Sequence, residues 1–149
     1  MTESFLMMLL LSHVAATLFM TGVIWFVQLV HYPLFASVGC NDFPAYEQQH
    51  SVRTTWVVAP AMFVEAVTAL LLFWWHPLGV SAWQLSTGMT LVAVLWLSTA
   101  LVQVPCHNAL SQGFDSTVHQ RLVRTNWVRT AIWSLRSLLV LWIAISSFC

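Results

Sequence analysis

The sequence predicts an all-α integral membrane protein: a four-helix up-down bundle made of two duplicated helical hairpins. Three observations lead there. Of the 149 residues, 59% are hydrophobic and only 7% are charged, where soluble domains carry roughly a quarter. Four stretches reach the roughly 20 apolar residues that a bilayer core requires of a helix. One polar-to-apolar segment also occurs twice.

The first span is expected from about Phe5 to Val30. Its head, Met1-Thr2-Glu3-Ser4, lacks the basic residues of a signal peptide, and the run is longer than a signal-peptide core, so a retained helix is expected. The second runs from about Thr54 to Trp75, the third from about Leu85 to Val104 and the fourth from about Trp127 to Phe148. Between the second and third, His76 to Ala82 holds Pro77 and Gly79 and reads as a tight turn. Both termini and this turn then share one side, and the loops Tyr32–Val52 and Asn108–Arg121 share the other. The even helices are expected to begin ahead of the membrane. Pro44 suits a first helical turn, and Asp115 or Ser116 suits a cap. Pro60, inside the second span, predicts a kink.

There is no lysine. Arg53, Arg121 and Arg124 lie on the side of the two long loops, with Arg129 just inside, while the other side has Glu3 and no arginine. The positive-inside rule therefore places those loops in the cytoplasm and both termini outside. The compact chain suggests a bacterial inner membrane. Zero net charge excludes a nucleic-acid partner. Cys40, Cys106 and Cys149 make neither a CxxC pair nor a disulfide framework. Trp56 and Trp127 read as interfacial anchors.

The repeated segment is Gln49-His50-Ser51-Val52-Arg53-Thr54-Thr55-Trp56-Val57 over Gln120-Arg121-Leu122-Val123-Arg124-Thr125-Asn126-Trp127-Val128. A weaker match relates Gln28-Leu29-Val30-His31 to Gln103-Val104-Pro105-Cys106-His107. These matches predict one domain over residues 1–149, with hairpins at about 5–75 and 84–148 related by an axis along the membrane normal. The register sets Glu65 opposite Arg136, the two charges deepest in any span. An unpaired charge at such depth costs several kcal/mol, so the two are expected to pair, either as a packing lock or as a proton- or substrate-handling group.

Four histidines gather at the loop end: His31 and His107 where the odd helices are expected to exit, His50 and His119 where the even helices enter. Imidazole is the commonest nitrogen ligand for zinc, copper and iron, so His31, His50, His107 and His119 are the candidate metal ligands, with Glu47, Asp115 or Cys106 as auxiliaries. No HExxH, HxxxH or E-x-x-H pair is read on one helix, so convergence of the ligands from four helices is expected. Gln28, Gln103, Arg53, Arg124 and Asn126 are expected to position ligands or substrate, and Tyr32, Glu65 and Arg136 to act in chemistry.

The reaction class this suggests is a redox or oxygen-dependent step on an apolar substrate at a transition-metal centre of iron, copper or zinc. One alternative is electron transfer through b-type haem, with His31 and His107 as axial ligands and Arg53 and Arg124 on the propionates. Another is a small carrier or non-catalytic subunit without a cofactor, holding an anionic or quinone-like ligand. Expected partners are membrane lipid, an apolar small molecule or quinone, and a second subunit.

Overall fold

The computed structural model describes residues 3–148; Met1, Thr2 and Cys149 lie outside the described residues. Four helices make up the fold: α1 (Glu3–Ser37), α2 (Phe43–Trp75), α3 (Ala82–Leu110) and α4 (Ser116–Phe148). Each is long and apolar enough to cross a membrane, and among the described residues there is no strand. α1 packs against α2 and α4, and α3 packs against the same two, which closes a square bundle.

Local chemistry explains the helix ends. Pro44 sits in the first turn of α2, where its missing N–H would have had no helical partner. Asp115 Oδ1 accepts from the backbone N–H of Thr117 at 2.7 Å and of Val118 at 3.0 Å, capping α4. Ser81 and Gln84 form a reciprocal capping box at the start of α3. The α2–α3 turn reverses through two left-handed residues, His76 at φ 43° and Gly79 at φ 79°. A Cβ on Gly79 would stand 2.5 Å from the Ser146 carbonyl oxygen, so glycine is required there on both counts.

The odd helices run further than their apolar stretches suggest, and this corrects the expected loops. Tyr32 to Ser37 and Asn108 to Leu110 are helical, leaving only residues 38–42 and 111–115 as connections. His31 therefore sits inside its helix rather than at its exit, whereas His107 lies in the last turn of α3. A one-turn π segment makes the continuation possible in each case: Val27–His31 ahead of Pro33, and Thr99–Gln103 ahead of Pro105. Tyr32 N–H bonds to Val27 O and Val104 N–H to Thr99 O, so the wider turn accommodates the proline without ending the helix. Pro60 likewise lies within an unbroken α2.

Apolar and polar layers alternate along the bundle. At the α2–α3 turn end, Leu9, Leu10, Leu72, Leu85 and Ile143 pack together. Met20, Ile24, Met62, Leu95 and Trp133 fill the middle. Tyr32, Phe35, Phe43, Leu110 and Leu122 close the loop end. Lipid tails are as apolar as leucine, so specificity between these helices rests on close packing and on the polar layers between. The expected Glu65–Arg136 pair is one such layer, with side chains 1% and 0% exposed. Arg136 also donates to the Gly88 carbonyl. Thr68 Oγ1 donates to the backbone of Val64 and Glu65, so it accepts from His13 Nδ1–H at 2.8 Å, and His13 Nε2 turns to Arg136. Outward, Trp56, Trp74, Leu78 and many other large apolar side chains are exposed, as a lipid-facing surface requires.

Candidate metal centre

The second polar layer lies at the loop end. Glu47 and His50 come from the first turns of α2, where the three-residue spacing puts both on one helical face. His107 comes from the last turn of α3, and His31 and Tyr32 from α1 where its π segment ends. One ligand atom from each of Glu47, His50 and His107 lies within 4.8 Å of the other two. This buried Glu/His/His group could hold a metal ion. Glu47 is 0% exposed, and its Oε2 has no hydrogen-bond partner. A carboxylate oxygen withdrawn from water and left unpaired costs several kcal/mol unless a cation or donor meets it. The donor set therefore fits a divalent cation.

Surrounding bonds hold the ligands in place. His107 Nδ1–H donates to Glu47 Oε1 at 2.5 Å, so its Nε2 accepts from the Tyr32 hydroxyl at 3.0 Å. His50 Nδ1 lies 2.7 Å from His31 Nε2 and 3.1 Å from Thr54 Oγ1, which occupies one side of the ring and leaves Nε2 free for a ligand role. Ser51 donates to Glu47 Oε1 at 3.1 Å. Coordination through His107 Nδ1 would require its proton to leave, as metal binding ordinarily does.

Two cavities flank the group. A groove of about 1000 Å³ runs between α1 and α2, with Leu18, Phe19, Val57 and Val58 at its apolar end and His31, His50 and Arg53 at its polar end. A second cavity of about 230 Å³ shares His50 with the groove and is lined by Tyr32, His107, Gln103 and Arg129 among others.

The histidines expected as one ligand set take different places. His50 and His107 enter the group, and His31 bonds to His50 from outside it. His119 does not join them: its Nε2–H donates to the Tyr32 carbonyl at 2.8 Å, and its ring stacks on Phe35. Asn126 donates to Gln28 Oε1 at 2.9 Å, and Gln103 donates to Thr125 Oγ1 at 3.0 Å. Arg53 borders the groove, whereas Arg124 is exposed and borders neither cavity. Glu65 and Arg136 lie in the other polar layer; the 18 residues from Glu47 to Glu65 along α2 amount to about 27 Å of helix.

The expectation that no E-x-x-H pair lies on one helix is corrected. Glu47-Gln48-Gln49-His50 is an E-x-x-H pair, the spacing by which helical bundles present two ligands inward. That spacing was the available signal for Glu47 as a principal member of the site. His50 also packs against both His31 and His107, with ring centroids 4.4 Å and 5.3 Å away. The arrangement lends the haem alternative no support. The chain matches no protein-family model, no curated protein and no solved structure.

Proposed function

We propose that the protein is a membrane metalloprotein with a single non-haem centre on Glu47, His50 and His107, and that it oxidises an apolar molecule taken from the bilayer with dioxygen as oxidant. One observation carries this reading: the buried Glu/His/His group, with its unpaired Glu47 Oε2, adjoins an apolar groove of about 1000 Å³. Two imidazoles and one carboxylate with positions left open are a donor set suited to iron(II) and dioxygen chemistry; zinc also accepts it.

The chain's own residues have separate tasks in this reading. His31 and Tyr32 orient the two imidazoles from behind, as outer partners of ligands commonly do. His119 fixes the backbone of Tyr32. The apolar wall of the groove binds the substrate and keeps water out. The arginine-bearing end faces the cytoplasm of a bacterial inner membrane, with both termini outside. The proposal includes the duplicated hairpin: the odd helices each carry a π segment ending two residues before a proline, and α2 and α4 are each 33 residues long.

The test is oxygen uptake by protein reconstituted anaerobically with ferrous iron and then given dioxygen and a bilayer-lipid extract. Uptake that needs the extract and is lost in both Glu47→Ala and Gly22→Phe supports the reading. Gly22 lines the groove, and a Cβ there meets nothing within 4 Å, so a large side chain is expected to project into the groove. Uptake unchanged by Glu47→Ala contradicts it.

A further inference from the structure

The second cavity is lined by a charge that the metal centre leaves unused. Arg129 is 7% exposed, and its Nη1 donates to Asn126 Oδ1 at 3.0 Å. Asn126 is itself anchored by donating to Gln28 at 2.9 Å, so the guanidinium is held in one orientation. Its Nε is buried and has no partner. Among the described residues no carboxylate pairs with it: Glu65 pairs with Arg136, and Glu47 accepts from His107 Nδ1–H. The Nε–Nη2 edge, which grips a carboxylate with two parallel hydrogen bonds, is left open.

A second orphan belongs to another residue lining the same cavity. Gln103 is 3% exposed, and its Oε1 is buried without a partner. Its amide orientation is fixed, because Thr125 Oγ1 donates to the Arg121 and Leu122 carbonyls and must therefore accept from Gln103 Nε2. The residues lining the cavity thus include a cation without an anion and an amide whose acceptor oxygen lacks a donor. Its lining also includes Ser51, Thr55 and Asn108, polar side chains of α2 and α3.

We infer that this cavity binds a small organic carboxylate bearing a hydroxyl, with the carboxylate on Arg129 and the hydroxyl donating to Gln103. The site stands on Arg129 and Gln103 and does not require the metal. A bound divalent ion would strengthen the demand, since its two charges exceed the one on Glu47 and leave Arg129 still uncompensated.

The test is thermal unfolding of the chelator-treated protein in mild detergent, titrated with lactate, propionate or inorganic phosphate. Lactate is expected to stabilise it saturably and more strongly than propionate. Arg129→Met should abolish the effect. Arg129→Lys, which keeps the charge and loses the bidentate edge, should weaken lactate binding by roughly tenfold, as should Gln103→Leu. The two milder variants keep the test decisive if Arg129→Met does not fold. No saturable lactate effect in the wild type overturns the inference, as does equal stabilisation of Arg129→Lys and Gln103→Leu, or phosphate acting as strongly as lactate. Because metal is removed beforehand, failure here leaves the metal centre untouched, and success does not depend on it.

Discussion

Replacing Glu65 by Gln leaves Arg136 as a buried cation with only neutral acceptors, the new amide oxygen, the Gly88 carbonyl and His13 Nε2, and no counter-charge. Both partners of the ion pair are within 1% of complete burial. Breaking a buried pair on one side destabilises by about 3–5 kcal/mol, because the surviving charge keeps its desolvation cost and loses its compensation. Arg136→Met leaves the converse, a buried carboxylate held by no cation. The double variant has no charge in this layer, so it is expected within about 2 kcal/mol of the wild type, although each single variant loses about 3 or more. The assay is equilibrium unfolding of all four proteins in one detergent, followed by far-ultraviolet circular dichroism. If the double variant is as unstable as the sum of the two singles, the pair is not energetically coupled, and its account as a lock between α2 and α4 fails.

Other perturbations follow from particular side chains. His31→Ala and Tyr32→Phe should keep the metal ligands and lower metal affinity by roughly 10- to 100-fold, as loss of an outer partner does, read by competition with a chelator. His119→Ala should leave the ligand set intact and loosen the segment around Tyr32, visible as faster amide exchange there. Gly79→Ala should destabilise by about 1–3 kcal/mol, from its positive φ and the clash with Ser146, measured by thermal unfolding. Gly22→Ala should be neutral or stabilising by up to about 1 kcal/mol, since the helix gains propensity and nothing is displaced.

Much of this architecture is legible in the sequence because the bilayer permits so few solutions. Four apolar runs and one proline-glycine turn dictate four crossing helices. The cost of an isolated charge at depth makes the Glu65–Arg136 pair readable, since the two residues are the only charges deep in the spans. The odd helices were harder. Hydropathy falls at His31 and again after Val104, but hydropathy does not report hydrogen bonding, and the π segments before Pro33 and Pro105 carry both helices on. The metal group was half legible. Imidazoles at one end point to ligation, yet nothing in their spacing reveals that His119 serves the Tyr32 carbonyl while Glu47 turns inward. The E-x-x-H spacing of Glu47 and His50 did carry that information. Arg129, by contrast, reads as one more arginine of the positive-inside set until packing shows it buried beside Asn126.

The central claim is that Glu47, His50 and His107 hold a metal. Its most direct test is elemental analysis of untagged protein purified in mild detergent without added metal, alongside a Glu47→Ala, His50→Ala variant shown to be folded. The account predicts close to one equivalent of iron or zinc in the wild type and its loss in the variant. Protein that is folded yet carries less than about a tenth of an equivalent, and takes up none when iron(II) or zinc is supplied, would contradict it.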